Sequence, residues 1–274
     1  MWSLKAWQGR FVEHPLPAGE RLRAYAGWCN AVEGNTTFYA TPTVETVRGW
    51  AEQTSPDFRM VLKLPKPVTH EFRLSPRADA ELHAFLAAIE PLGARVHALW
   101  VQLPGSFGPE EVPHLAAFLR RLPADYRSAV EVRHPAFFAG DAGLLEDVLS
   151  AAGAEWVPFD TTAFFAAPPT SEAERDAWTK KPRLPRRTKA LTARPIVRYL
   201  GRDDAHLTID GWQGWVRQAA QWLREGRSPT FFIHTPDNAD APALARDFHT
   251  AVRALVPELP PLPEPNPVGP LTLF

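Results

Sequence analysis

Short apolar runs alternate with longer segments of helical periodicity along most of the chain. Between the runs, apolar residues recur every three to four positions, the spacing of a helix with one buried face. This alternation is typical of βα units and a mainly parallel sheet. The runs predict strands at WSLKAW from Trp2, WCNAVE from Trp28, FRMVLKL from Phe58, HALWVQL from His97, SAVEVR from Ser128, EWVPFD from Glu155, PIVRYL from Pro195 and PTFFIH from Pro229.

The number of predicted strands and the length of the chain favour one barrel. The protein has 274 residues, of which 45% are hydrophobic, and α/β barrels often run to about 250 residues. We therefore predict a (β/α)8 barrel of TIM type as a single domain over residues 1–256, followed by a proline-rich surface tail at 257–274. An open doubly wound sheet is the alternative, because periodicity does not report whether a sheet closes.

Polar or ionisable side chains occur at or just after the carboxyl end of nearly every predicted strand. Both candidate architectures bind ligands at that edge, so we expect these groups to share one pocket. The alternatives are a structural ion pair between Glu131 and Arg133, which lie on one face of a strand, or a plugged barrel that acts only as a scaffold. The groups are Glu33, Lys63, His70, Gln102, Glu131, Arg133, His134, Asp160, Arg198, Tyr199 and the run 234–238.

The stretch VEGNTTFYATP, residues 32–42, places a carboxylate, an amide, two hydroxyls and a phenol close together after an apolar run. Glu33, Asn35 and Thr37 recur with a period of two, so an extended backbone would direct all three to one face. We interpret that face as part of the pocket, with Thr41 and Pro42 beginning the next helix.

Several kinds of chemistry are compatible with this pocket. Glu33 and Glu131, with Asp160 as a third acid, can divide acid and base roles if their environments separate their pKa values. Lys63 is either a desolvated nucleophile or, more simply, a counter-ion to one of the acids. No phosphate loop, dinucleotide fingerprint or metalloprotease motif is present. A divalent metal site is also compatible with the sequence, if the folded chain brings together Glu33, His70, Glu131, His134 and Asp160.

Charge and cysteine content restrict the partners. The formal net charge is -1 and the pI is about 6.8, so the whole molecule has no strong attraction to nucleic acid or to membranes. One local exception is KKPRLPRRTK, residues 180–189, a basic segment without an acid that could attract phosphate or nucleic acid. Cys29 is the only cysteine, which favours a reducing compartment. We expect a soluble cytoplasmic protein with no membrane partner.

Several segments together resemble the YecE-like family, a domain of unknown function, in the same order over most of the chain. They are VEGNTTFYATP, DFRMVLKLPKPVTHEFRL, LWVQLPGSFGP, AVEVRHPAFF and IVRYLGR. The resemblance implies a TIM-type barrel, distorted in places, and marks many of the strand-end groups. Two segments depart from the family pattern: WSLKAWQGRF replaces a glycine-rich opening, and FIHTPDN puts His234 where an asparagine is expected.

The strand-end residues predict a small-molecule enzyme, a hydrolase, lyase or isomerase that acts on a polar, anionic or phosphorylated substrate, and the resemblance supplies no reaction. The alternative is a non-catalytic nucleotide or nucleic-acid binder that uses residues 180–189. We assign acid, base or nucleophile roles to Glu33, Glu131, Asp160, Lys63 and His70. Substrate-binding roles fall to Asn35, Thr37, Tyr39, Gln102, Arg133, His134 and Arg198.

Overall fold

Parallel strands form the centre of the computed structural model, which describes residues 2–12, 16–139 and 142–265. β1 to β5 form one parallel sheet in chain order, and β6 to β8 form a second. The strands are β1 (Ala31–Gly34), β2 (Arg59–Lys63), β3 (Val96–Gln102), β4 (Ser128–Glu131), β5 (Glu155–Trp156), β6 (Phe159–Asp160), β7 (Ile196–Leu200) and β8 (Thr230–His234).

Helices surround the strands, and local capping defines where several of them begin. Thr43, Ser171 and Asp204 each accept a hydrogen bond from a backbone N–H three residues later, which satisfies a free donor of the first turn. The helices are α1 (Arg21–Ala26), α2 (Thr36–Tyr39), α3 (Val44–Glu52), α4 (Asp79–Ile89), α5 (Val112–Arg121), α6 (Ala142–Ala151), α7 (Glu172–Lys180), α8 (Ala205–Arg224) and α9 (Ala241–Leu255).

The inward faces of the strands meet in one apolar cluster, which identifies the fold as a TIM-type α/β barrel. The opposite faces pack against the helices, as Val32 and Met60 do on one side and Val197 and Tyr199 on the other. Members of the inner cluster come from both sheets: Ala31, Val61, Ala98, Trp100, Ala129, Val157, Ile196 and Phe232.

The barrel is distorted at two places. Between β5 and β6 the chain changes partner at Val157 and Pro158: Val157 N donates to Val130 O, and Pro158 O accepts from Arg198 N. Proline has no N–H to continue a ladder, so the predicted strand EWVPFD divides into two short ones. Among the described residues no backbone ladder joins β8 to β1. We call the gap between these two strands the seam.

The first predicted strand, WSLKAW, is wrong. The chain forms a short 3-10 helix at Lys5–Trp7 and pairs with no sheet there. Trp2 packs edge-on against Trp50, and Trp7 stacks on Tyr25, with ring centroids 5.4 and 5.8 Å apart. Aromatic anchoring to the outer helices therefore produced the apolar pattern.

The predicted helix faces are largely confirmed. Leu82, Phe85 and Ile89 are buried on α4, and the stripe Leu244, Phe248 and Val252 is buried on α9. Two differences stand out: Thr43 caps α3, not Thr41, and Leu144 on α6 is 50% exposed. None of the helices in the described ranges has the length and apolar composition that a membrane crossing needs.

The described part of the predicted tail, residues 257–265, runs back along α9. The Nε2 of His249 donates to Pro260 O at 2.9 Å, and Arg253 Nε donates to Leu259 O at 2.9 Å. Arg246 Nη1 donates to Pro263 O at 2.8 Å. Residues 266–274 of that tail lie outside the described residues.

Candidate functional site

Six buried polar side chains form a layer inside the barrel at the carboxyl ends of the strands, above the apolar cluster. Strand alternation explains this layer, because each of the six residues lies two positions after an inward-facing apolar residue of its own strand, as Glu33 does after Ala31. We call this group the mouth layer: Glu33, Lys63, Gln102, Glu131, Arg198 and His234.

Glu33 is the most densely contacted carboxylate of the mouth layer. Lys63 Nζ lies 2.7 Å from Oε1, and His234 Nε2 and Arg198 Nε lie 2.9 and 3.4 Å from Oε2. Only the histidine contact has hydrogen-bond geometry, and Lys63 Nζ directs its hydrogen bond to Asn35 Oδ1 at 2.9 Å. The lysine and arginine contacts to Glu33 are therefore ion pairs without aligned hydrogen bonds.

Glu131 is held from one side. Arg133 places Nε and Nη2 at 2.8 and 2.6 Å from the same oxygen, Oε1. The other oxygen, Oε2, is 3.7 Å from Arg198 Nη1 and has no hydrogen-bond partner among the described residues. The predicted Glu131–Arg133 pair exists, but it uses only half of the carboxylate.

Both carboxylates remain charged. Burial raises the pKa of Glu33, but Arg198, Lys63 and His234 outweigh burial and hold that pKa well below its usual range. Burial also raises the pKa of Glu131, but Arg133, Arg198 and Lys63 outweigh burial and lower that pKa. The separation of pKa values that would give one acid and one base among these two glutamates is not found.

Lys63 is the group of the mouth layer whose charge changes near neutral pH. Burial lowers its pKa to about 8. The charge of Glu33 opposes this lowering, and repulsion from Arg198 adds to it. Burial lowers the pKa of His234 against the opposing charge of Glu33. Its Nε2 lies 2.9 Å from Glu33 Oε2, and its Nδ1 lies 3.0 Å from Asn238 Oδ1.

Aromatic rings form the floor beneath these charges. Lys63 Nζ lies 5.1 Å from the ring of Trp100, and the guanidinium carbon of Arg198 lies 4.5 Å from the ring of Phe159. Trp100 stacks on Phe232 below them, with ring centroids 5.7 Å apart. The cations therefore face ring π-electrons on one side and carboxylates on the other.

The loop after β1 brings further polar groups to the rim, though not on an extended strand. The chain enters α2 at Thr36, and the Thr37 hydroxyl lies 2.8 Å from Gly34 O and 2.7 Å from Lys63 O. That hydroxyl ties β1 to β2, whereas Asn35 reaches Lys63. Tyr39 is 74% exposed and lies outside the mouth layer.

Two predicted histidines serve local structure. Thr69 Oγ1 lies 2.8 Å from His70 Nδ1, and the ring of Phe38 lies 5.0 Å from that imidazole. Burial, then Arg133, lowers the pKa of His70 to about 4, so it is neutral at physiological pH. His134 Nδ1 accepts from Ala136 N and caps the short helix Pro135–Phe138.

The structure does not bring Asp160 into the mouth layer. Asp160 is in register with Tyr199, which faces the helices, while its neighbour Phe159 is in register with the inward Arg198. The carboxylate accepts from Trp215 Nε1 at 2.6 Å, from Arg186 Nε at 3.0 Å and from Thr162. Asp160 thus anchors the basic segment to the outside of the barrel.

The basic segment 180–189 lies against the barrel with much of its charge engaged. Arg186 pairs with Asp160, and Arg187 and Lys189 both pair with Glu146. Lys180 pairs with Asp176, and Arg183 covers the rings of Phe165 and Trp178. The segment therefore presents little unpaired charge for a phosphate backbone.

Two members of the site were missed by sequence reasoning. His234 belongs to the predicted strand-end run 234–238 and departs from the family pattern, but the sequence prediction assigns it no role. Lys181 was counted with the basic segment. Burial, Arg198 and Arg133 lower its pKa, so the charge of Lys181 is within electrostatic range of the mouth layer.

The histidines and acids proposed for a metal ion are not grouped together. In residues 2–12, 16–139 and 142–265, no three His, Cys, Asp or Glu side chains are close enough to hold one. Glu33 and His234 form a close pair, but cations occupy the space around it.

Comparison with known proteins agrees with this geometry. The family model "Protein of unknown function DUF72" matches residues 1–267. The chain belongs to the DUF72 family. The UPF0759 protein YecE of Escherichia coli is 40% identical over 244 residues, covering 88% of this chain and 89% of YecE. This DUF72 chain is thus related to YecE along nearly the full length of both.

Solved structures support the fold of the DUF72 chain. A DUF72 family protein of Thermotoga maritima has a TM-score of 0.70 at 20% identity, covering 92% of this chain and 96% of that one. A DUF72 family protein of Enterococcus faecalis has a TM-score of 0.67 at 19% identity, covering 86% and 93%. At such identities the likeness concerns the fold.

Proposed function

We propose that this DUF72 chain is an enzyme that binds a small anionic substrate in the mouth layer and transfers a proton with Lys63. The observation that carries the proposal is the set of buried polar atoms without hydrogen-bond partners among the described residues. These are Glu33 Oε1, Gln102 Oε1, Glu131 Oε2 and Arg198 Nε, all in one layer. Buried polar atoms normally have partners. Three of these four are acceptor oxygens, so a ligand that satisfies them needs hydroxyl or other donor groups beside an anionic group that faces Arg198.

The charge of the site favours an anion. Lys63, Arg133 and Arg198 face two carboxylates, and Lys181 adds a further cation at the rim. An arginine can bind a carboxylate or a phosphate through two parallel hydrogen bonds. The excess positive charge would be balanced by a substrate with one or two negative charges.

The protonation states favour proton abstraction over hydrolysis. Glu33 and Glu131 are both ionised, so neither supplies the protonated carboxyl that a pair of acids needs for acid-assisted bond cleavage. A lysine with a pKa of about 8 is partly neutral near physiological pH and can accept a proton. Removal of a proton next to a carbonyl or carboxylate, followed by isomerisation or elimination, fits these states.

The proposal is tested by deuterium exchange, which needs no knowledge of the product. A panel of small carboxylic acids, keto acids and sugar phosphates is incubated in D2O with the protein, and loss of carbon-bound protons is followed by NMR. We expect at least one compound to exchange with the wild type. Lys63→Met should slow that exchange by roughly a hundredfold, the effect typical of a lost general base.

Lys66→Met is the matched control, because Lys66 is half exposed and pairs only with Glu71 on the surface. Its exchange rate should equal that of the wild type. Equal exchange in folded Lys63→Met and wild-type protein would contradict the assignment of Lys63.

A further inference from the structure

A cavity of about 190 Å³ occupies the seam between β1 and β8. It lies along the side of the barrel and reaches the mouth layer only at Glu33 and His234. Its long walls are apolar, with Phe231, Phe248 and Val252 among them, and the half-buried Leu259 and Leu262 line its outer side. A largely apolar cavity with few polar groups is the usual form of a small-molecule site.

The seam is kept open by a side chain. The hydroxyl of Tyr25, on α1, donates to Ala31 O at 3.1 Å, so this carbonyl at the outer edge of β1 is hydrogen-bonded to α1 and not to β8. Tyr25 in turn stacks on Trp7. The two strands therefore stand apart because an aromatic side chain of α1 satisfies the edge that β8 would otherwise pair.

One end of the cavity carries a cation without a counter-ion. Arg59, at the start of β2, donates to Ser228 Oγ at 2.6 Å and to Thr230 Oγ1 at 2.9 Å, both neutral partners. No carboxylate of the described residues lies within 4.0 Å of it. Burial and the nearby Arg194 lower its pKa, as expected for a cation that lacks a neighbouring acid.

The shape and the position of the charge define the ligand. From Asn30 to Glu33 the wall of the cavity spans three residue steps of β1, or roughly 10 Å. We propose that the seam binds a medium-chain carboxylate, with its head group on Arg59 and its acyl chain along the apolar wall to which Phe231 and Phe248 contribute as a packed pair, their ring centroids 4.6 Å apart. This cavity meets the mouth layer at Glu33 and His234, but the proposal does not depend on the proposed reaction.

The experiment measures binding of octanoate, acetate and 1-octanol to the full chain by titration calorimetry. Octanoate should bind at least about tenfold more tightly than either acetate or octanol, because only octanoate combines the charge for Arg59 with the apolar body. Similar affinity for octanoate and acetate would overturn the proposal, since the apolar walls would then contribute nothing.

Variants locate the ligand. Arg59→Gln should weaken octanoate binding by about tenfold or more and leave octanol binding unchanged. Ala245→Phe, on the wall formed by α9, should abolish both by filling the cavity. Arg48→Gln, an exposed arginine on α3, is the matched charge control and should bind octanoate like the wild type.

If a variant fails to fold, the comparison of the three ligands on the wild-type protein still tests the proposal. Octanoate binding that survives in folded Ala245→Phe would place the ligand elsewhere and overturn the assignment to the seam.

Discussion

Glu131 and Arg133 show how an ion pair predicted from the sequence can engage only part of a carboxylate. Their spacing of two along a strand predicts a shared face, and the structure confirms contact at Oε1 of Glu131. The second oxygen faces Arg198 without a hydrogen bond. The ion pair therefore engages one oxygen of Glu131, and the proposed function assigns the other oxygen to a ligand.

Glu131→Gln should destabilise the protein by about 3 kcal/mol, because half-buried Arg133 loses its carboxylate and buried Arg198 keeps only Glu33 as a counter-ion. Urea denaturation of the wild type and the variant at pH 7 measures the difference. Glu52→Gln, at an exposed position of α3, is the control and should change stability by less than about 0.5 kcal/mol. A loss as small as that of the control would mean that Glu131 contributes no net charge compensation.

The sequence predicted mouth-layer residues where strand alternation is regular and failed where the alternation is interrupted. Gln102 and Glu131 end uninterrupted strands and are in register with each other. Asp160 follows the break at Pro158, and the inward position there belongs to Phe159, in register with Arg198. Phe159 and Asp160 are adjacent in a strand, so their side chains point to opposite faces. Only the register with β7 shows that Phe159 is the inward one.

At the scale of elements, α7 is attached to the loop after β7 through a fully buried ion pair. Glu174 receives Arg202 Nε at 3.0 Å and Nη2 at 2.6 Å, one on each oxygen. The backbone N–H groups of Thr170 and Asp203 donate to the same carboxylate. This carboxylate therefore fixes both the start of α7 and the end of β7, next to the segment that carries Lys181.

This attachment predicts a specific dependence on pH. Burial raises the pKa of Glu174, but the hydrogen bonds from Arg202 and the backbone lower it to about 2, against about 4.3 when unfolded. Between these values the unfolded chain binds a proton that the folded chain does not, so the stabilisation of about 3 kcal/mol is present above pH 4.3 and lost toward pH 2. The stability gap between wild type and Glu174→Gln should therefore narrow as the pH falls.

Urea denaturation at pH 6, 4 and 3 measures that gap. Glu172→Gln lies in the same first turn but is exposed, and it should show a small gap at every pH. A gap for Glu174→Gln that stays constant from pH 6 to 3 would contradict the lowered pKa.

Element prediction succeeded for helices with a clear apolar stripe, because burial of one face decides their position. It failed for WSLKAW, where the tryptophans pack on α3 and α1 and not in a sheet. It also merged β5 and β6, because EWVPFD is apolar on both sides of Pro158. Hydrophobic pattern reports burial, and it does not say which partner buries the residue.

At the scale of the whole molecule, the seam makes closure of the barrel depend on residues outside its strands. Tyr25 of α1 satisfies the edge of β1, and Leu259 and Leu262 after α9 cover the cavity. The sequence does not predict either contribution: Tyr25 is only six residues from Ala31, but its contact depends on how α1 packs, and Leu259 and Leu262 lie more than 200 residues from β1 along the chain. The proline-rich stretch therefore belongs to the packing of the barrel as far as residue 265.

Cys29 lines the same cavity and, as the only cysteine, reports whether the seam opens. Burial raises the pKa of its thiol to about 11, so in the closed protein it should react slowly with a disulfide reagent such as DTNB at pH 8. The double variant Leu259→Ala with Leu262→Ala should accelerate labelling roughly tenfold or more, because the lost apolar burial lowers the cost of opening by at least about 1.4 kcal/mol.

Leu144→Ala, at an exposed leucine of α6, is the control and should label like the wild type. If the double variant also labels at the wild-type rate, residues 257–265 do not close the seam, and access to Cys29 is set by α1 and α9 alone.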